Sequence, residues 1–313
     1  MDNNFKQQPT SDTEVKSEGI LDKIENQIAL ARKLENVYGN RPNPKNFIGA
    51  MKGSKHENDY TEESVNKDEK YVVDKRKRFD EKNSSHGLQN LEVRENGFAL
   101  SEMLQAMVVD RINKDWLNEF KAEMTSDYDD LAVGVDAVLK HKEGQYLGAS
   151  FDFTITKQEV VIEKKLKDNW EYSIEKGEVP TIKYFEDPDT HIKRRITAPK
   201  FIIGATKEDV EEMAKAYLNN DEVSLAKHKF QYMIIEQMYE QLVSALDYFD
   251  SHKDNTRLDF AREQYEKVYT VVQRIRDRFS REGKINNLDF FEYKKKSPAL
   301  ETIRQFKYLK EDK

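Results

Sequence analysis

Three patterns in this chain predict an α/β (α+β) fold. Helix-period apolar spacing lies on both sides of two strand-period runs, Asp130–Leu139 and Tyr146–Ile155. A third apolar run, Pro199–Ala205, reads as a buried strand after an intervening helix. From Thr206 to Phe279 every pattern is helical, which predicts an all-helical C-terminal region. The chain therefore divides into three parts. Residues 1–97 read as a largely disordered N-terminal tail with one amphipathic helix at 20–38. Residues 98–205 form an α/β core, and residues 206–313 a helical hairpin with a C-terminal tail.

Each element has its own signal. Ile20, Leu21, Ile24, Ile28, Ala31, Leu34 and Val37 make one helical stripe, and Gly39 offers a stop. An isolated helix of that length is marginal in water, so it needs a protein partner or the body of this chain to dock on. Residues 40–95 hold too few apolar side chains to offset the entropy of ordering and read as unstructured. The charge run Lys67–Lys82, with Asp74-Lys-Arg-Lys-Arg-Phe79, reads either as a solvated linker or as a nucleic-acid or partner-binding arm.

Leu100–Met124 reads as one long helix, with Leu100, Met103, Leu104, Met107, Val108, Ile112, Leu117, Phe120 and Met124 near one face. The two strands follow. Gln158–Gly177 is a helix that turns Val161, Ile162, Leu166, Trp170 and Ile174 inward, with Gly177 placed to end it. Thr181–Phe185 is a short strand, Asp187-Pro-Asp189 a turn, and Lys193-Arg-Arg195 a basic patch. Thr206 with Asp209 starts the next helix. Val223–Phe249 and Leu258–Phe279 then pair as an antiparallel hairpin around a break at Ser251–Asn255. The aromatic and lysine-rich tail after Gly283 reads as loosely docked.

Composition bounds the setting. The chain has 313 residues, 35% charged and 37% apolar, with a formal net charge of -7 and a mean hydropathy of -0.89. That apolar content is low for a wholly compact chain of this length. No apolar run is long enough to span a membrane, and Met1–Thr10 lacks a signal-peptide apolar region, so the expected localisation is cytoplasmic. With no cysteine there is no disulfide, thiolate nucleophile or zinc–sulfur site. The six histidines are scattered without metal-ligand spacing, and no Gly-X-Gly-X-X-Gly loop, Walker loop or Gly-X-Ser-X-Gly elbow occurs.

Function is carried by Asp136 and Asp152. Each interrupts an apolar strand-like run, and an uncompensated carboxylate there is costly. Alternation puts Asp152 on one face with Gly148, Ser150 and Thr154, and Phe151 and Phe153 on the other. A three-residue loop centred on Gly144 pairs position 136 with position 152 across a hairpin, whereas a two-residue loop at Glu143-Gly144 shifts the register by one and separates them. Directly opposed carboxylates repel, and a divalent cation, Mg2+ or Mn2+, turns that repulsion into coordination. The alternatives are backbone donors that satisfy each carboxylate, or an exposed sheet edge where charge blocks aggregation.

The order helix, strand with Asp136, strand with Asp152, helix, strand resembles the PD-(D/E)XK nuclease superfamily over about Leu100–Ala205. The resemblance implies a small mixed sheet flanked by helices. One Asp then lies on the second core strand, here in Gly134-Val-Asp136, and an acidic-X-Lys triplet on the third, here Asp152-Phe-Thr154. Thr154 stands where that lysine belongs. Some members supply it from the following helix, and Val160-Val-Ile-Glu-Lys-Lys-Leu-Lys167 offers Lys165, near the apolar stripe, and Lys164, which points further outward. The activity implied is metal-dependent hydrolysis of DNA or RNA, with Asp136, Asp152 and Lys165 as catalytic residues and Asp136 and Asp152 as Mg2+ or Mn2+ ligands. Asp129, Asp130 and Glu102 are further acidic candidates, with Asp130 at the strand entrance reading as a solvated or turn residue. A non-catalytic docking protein built on a degenerate nuclease-like core is the alternative.

Overall fold

The computed structural model describes residues 19–85, 100–141, 147–155, 159–187 and 189–311. In chain order a short 3-10 turn precedes α1 (Ile24–Lys33) and α2 (Glu35–Gly39), and two more such turns, Pro44–Phe47 and Glu57–Tyr60, lead into α3 (Glu62–Ser85). The core holds α4 (Leu100–Lys114), β1 (Phe120–Met124), α5 (Asp127–Val133), β2 (Ala137–His141), β3 (Leu147–Ile155) and α6 (Glu159–Asn169), which runs on as a π-helix over Trp170–Glu175. Next come β4 (Thr181–Glu186), β5 (Lys193–Thr197), β6 (Lys200–Ala205), α7 (Lys207–Leu218), α8 (Glu222–Ala226), α9 (Phe230–Ser251), α10 (Asp259–Arg281), α11 (Leu288–Lys295) and α12 (Pro298–Glu311).

The fold is α/β, as the patterns predict. Four strands form one sheet in the order β1-β2-β3-β6, while β4 and β5 pair as a separate hairpin. β2 runs antiparallel to β1 and β3, and β6 runs parallel to β3, with α6 inside the long crossover that a parallel pair requires. One face of the sheet sends Phe120, Ala122, Leu139, Phe151, Phe153 and Phe201 into the main core with Met103, Met107 and Ile112 of α4. On the other face Val138 meets Ile182, Phe185 and Ala198 of the hairpin.

Both outer edges of the sheet are closed by carboxamide side chains. On β1, the Ala122 N–H donates to Asn113 Oδ1 at 2.9 Å while its carbonyl accepts from Asn113 Nδ2 at 2.7 Å. On β6, Gln237 of α9 serves Gly204 in the same way at 2.8 and 2.9 Å, and Gln241, one turn on, serves Ile202 at 3.0 and 2.9 Å. Helix side chains four residues apart thus stand in for a fifth strand and leave less edge for another chain to pair with.

Several expectations are corrected. The single helix over Leu100–Met124 stops at Lys114, and Phe120–Met124 is β1. Phe120, Ala122 and Met124 fit period 2 as well as Leu117, Phe120 and Met124 fit a helix, and pairing with β2 decides between them. The strand expected from Asp130 begins only at Ala137, because Ser126 caps α5 by accepting from the Asp129 N–H. Residues 44–85 are not unstructured. Phe47, Tyr60 and Val65 pack on Tyr184 of β4, and Lys183 reaches Ser64 and Asp68 of α3 at 3.2 and 2.5 Å. Residues 1–18 and 86–99 lie outside the described residues.

The basic patch Lys193–Arg195 is strand β5, and it engages the same N-terminal segment. Lys193 donates to the Asn46 carbonyl at 2.8 Å and Arg195 to Asp59 at 2.7 Å. Val161 is exposed rather than inward, and Val223 sits exposed on the separate α8. The tail after Gly283 is not loose either, since Phe290, Leu300 and Ile303 are buried in the main core. Other expectations hold. The segment 20–38, a 3-10 turn followed by α1 and α2 rather than one helix, docks on the body of the chain through Leu21, Leu30 and Leu34, and Thr206 with Asp209 forms a reciprocal capping box. Gly177 adopts φ +71°, where an added Cβ would stand 2.9 Å from the Arg257 carbonyl.

Candidate functional site

The site sits where α5 hands the chain to β2. Gly134 ends α5 in the left-handed conformation, φ 67°, and two residues later Asp136 stands at the head of β2. The observed pairs Ala137–Phe151, Val138–Ser150 and Leu139–Ala149 extrapolate to 136 opposite 152, whereas nearer the loop Lys140 pairs with Leu147, the register of a two-residue loop. The loop residues 142–146 lie outside the described residues. The register shifts once, between Leu139 and Lys140, beyond the aspartates.

Asp136 is 5% exposed and Asp152 7%. The Asp136 N–H donates to the Phe151 carbonyl at 2.7 Å, and its carboxylate Oδ2 accepts from the Phe153 N–H at 2.6 Å. Lys165 reaches back from α6 and donates to Asp152 Oδ1, and at 3.3 Å to the Phe153 carbonyl. Lys164, its neighbour, is exposed. Asp136, Asp152 and Lys165 therefore converge on one backbone position, the Phe153 peptide region, although 16 residues separate each aspartate from the other along the chain.

Asp130 joins them. Burial raises its pKa, the Arg41 guanidinium opposes that rise, and a hydrogen bond from Asp136 opposes it further. Burial first, then the charges of Asp130 and Asp152, push Asp136 well above the ordinary carboxylate range, against the pull of Lys165 and the Phe153 N–H. The two buried carboxyls thus raise each other's cost of ionisation. Arg41 arrives from the N-terminal segment, 2.9 Å from Asp127 and 3.5 Å from Asp130, with Gln105 of α4 at 3.1 Å. The reading of Asp130 as a solvated or turn residue is corrected: it lies on α5 within this carboxylate group.

Two other acidic candidates stand elsewhere. The Asp129 carboxylate accepts from the Lys183 and Tyr184 N–H groups at 2.7 and 3.0 Å and so ties α5 to β4. Glu102, on the first turn of α4, adds its charge to the burial that raises the Tyr38 hydroxyl. Lys200 escaped the sequence reading. It opens β6 opposite Ser150, donates to the Val133 carbonyl at 3.1 Å, and has its pKa pulled down by burial against the attraction of Asp152. Only the parallel pairing of β3 and β6 reveals it.

Among the described residues no group of three or more His, Cys, Asp or Glu side chains stands ready to hold a metal ion. Among them, too, no helix is long and apolar enough to cross a membrane. The chain matches no protein-family model, no curated protein and no solved structure.

Proposed function

We propose that this chain is a divalent-metal-dependent nuclease that hydrolyses phosphodiester bonds in DNA or RNA. One observation carries the reading: Asp136 at the head of the second sheet strand, Asp152 on the third, and Lys165 from the following helix meet in one place. β1, unseen in the sequence patterns, is what makes these strands second and third, the positions the PD-(D/E)XK resemblance implies. The donor set fits a hard cation, since Asp136 and Asp152 offer carboxylate oxygens and no softer ligand. Those two residues would hold Mg2+ or Mn2+. Such an ion, when bound, supplies a water of lowered pKa and offsets charge on the scissile phosphate.

The chain's own groups have separate tasks in this reading. Asp136 and Asp152 serve as the anionic ligands. Lys165, already bonded to Asp152, orients the attacking water or stabilises charge on the phosphate. The cover formed by the β4–β5 hairpin limits water on that face of the sheet. A cytoplasmic setting belongs to the same proposal.

A second reading, a non-catalytic docking protein on the same core, is favoured by one specific observation. Lys165 already neutralises Asp152. Cleavage assays separate the two. The parent, with Mg2+ or Mn2+, is expected to cut single- or double-stranded DNA or RNA, and Asp136→Asn, Asp152→Asn and Lys165→Met each to abolish cutting. A metal-induced rise in melting temperature without cleavage of any of these substrates supports the docking protein. No metal response at all, with Asn variants that behave like the parent, removes the nuclease reading.

A further inference from the structure

Lys200 brings a second ammonium to the carboxylate site, from a strand that the known pattern of acids and lysine does not call on. β6 runs parallel to β3 with Lys200 opposite Ser150 and Ile202 opposite Asp152, so Lys200 lies on the same face as Ile202, one step short of Asp152 along the strand. Its ammonium and the Asp152 carboxylate converge on Gly134. A Cβ built there would meet Asp152 Oδ2 at 3.5 Å and Lys200 Nζ at 3.6 Å, its two nearest neighbours. Both polar groups are thus in contact range of the one glycine.

The bonding of the two lysines differs. Lys165 is committed to Asp152 and to the Phe153 carbonyl. Among the described residues Lys200 has one hydrogen-bond partner for its three donors, the Val133 carbonyl at 3.1 Å, and forms no ion pair within 4.0 Å. An ammonium held beside a carboxylate, yet not paired with it, is positioned to receive an incoming anion. Lys200 also borders, with Leu166, Trp170 and Phe306, a small cavity of about 30 Å³.

Resting on the nuclease reading, we propose that Lys200 is the phosphate-binding residue of this site, contacting a backbone phosphate of the nucleic acid beside Asp152. It binds the substrate and leaves the activation of water to the other groups. An ammonium that only capped the Val133 carbonyl would alter stability but not the salt dependence of binding.

The test uses the full chain carrying Asp136→Asn, which cannot turn over on this reading, with and without Lys200→Met. Fluorescence anisotropy of a labelled single strand and duplex, in DNA and RNA forms, measures affinity from low to moderate salt. The expected result is about tenfold weaker binding in Lys200→Met, by the usual strength of a charge-assisted hydrogen bond. The slope of log affinity against log salt should shrink by about 0.7 for a single strand or about 0.9 for a duplex, one phosphate contact's worth. In the otherwise unaltered chain, Lys200→Met should raise KM and leave kcat within about twofold, by the logic of uniform binding. Lys200→Gln serves if the methionine variant melts markedly lower. Unchanged affinity and slope in a folded variant overturn the proposal while leaving the nuclease reading intact. Failure of the Asp136→Asn chain to bind any form, together with no cleavage by the parent, overturns both.

Discussion

Asp136 links burial, charge and function in one side chain. Folding raises its pKa, so the native state holds that proton more tightly than the unfolded chain, whose carboxyl titrates near about 3.9. Stability from this group is therefore full below that value and is lost as the pH rises through the raised native value. Asparagine keeps an oxygen for the Phe153 N–H and a donor for Asp130 without the charge. Metal-free Asp136→Asn is expected to melt no lower than the parent at pH 7 to 8, with the advantage shrinking toward pH 4, and to lose the rise in melting temperature that Mg2+ or Mn2+ gives the parent. Calorimetry across pH checks both halves. Asp187 has the opposite sign. Burial would raise it, but the Lys140 ammonium and the Thr190 and Asp189 N–H groups outweigh that and hold it at about 2. Its contribution is present above about 3.9 and lost as the pH falls through about 2. Lys140→Met should lower the melting temperature at neutral pH, and the gap from the parent should close in strong acid.

Among the elements, β6 depends most on a neighbour. Pairing with β3 leaves its outer amides facing α9, where Gln237 and Gln241 take them. Gln237→Leu keeps the side-chain volume but strips the Gly204 N–H and carbonyl of partners in a fully buried place. Each buried polar group left unsatisfied costs about 1–3 kcal/mol, so a clear fall in the urea midpoint is expected, with the slope of unfolding unchanged. Gln241→Leu, half-buried, should cost less because water can reach the Ile202 amides. An unchanged midpoint in Gln237→Leu would show that the edge needs no such closure. β6 itself was legible as an apolar run between Pro199 and Gly204. The glutamines were not, because they read as ordinary polar positions on a long helix and only docking gives them a strand to serve.

At the scale of the whole molecule, a segment that composition marks as unstructured packs on the β4–β5 hairpin. Tyr184 makes edge-on contacts with Phe47, Tyr60 and Tyr128 at ring-centroid distances of 5.3, 6.0 and 5.7 Å, and its hydroxyl donates to Asp68 at 2.7 Å. Arg76 of α3 adds an ion pair to Asp127 at 2.9 Å. Truncating a buried aromatic costs about 3–5 kcal/mol in most cores. Tyr184→Ala should therefore release residues 44–78 to limited proteolysis while 100–311 stays resistant. The parent should be spared at the same positions, which reverses what apolar content alone implies for 40–95. Early cleavage within 44–78 in the parent would contradict this packing.

The sequence by itself determined the elements with a clear period and the residues whose type conflicts with their place. β3, β6, the helical hairpin and the cap of α7 are all readable. So are Asp136 and Asp152, because a carboxylate beside apolar strand residues needs a partner, and Lys165, because it borders an apolar stripe. The register of 136 against 152 was one of two that the turn allowed, and a shift between Leu139 and Lys140 decides it. Short-range ambiguity defeated the rest. The residues of β1 fit two periods, and α5 wins over a longer β2 only through the Ser126 cap. Tertiary structure alone decided which charges meet. Lys200 and Asp152 come together through a parallel pairing, Arg41 and Asp130 through docking of the N-terminal segment, and Lys183 and Asp68 through the hairpin. These contacts join distant parts of the chain, and no local pattern encodes them, since a lysine or aspartate on a polar surface looks the same until the surface opposite it is built.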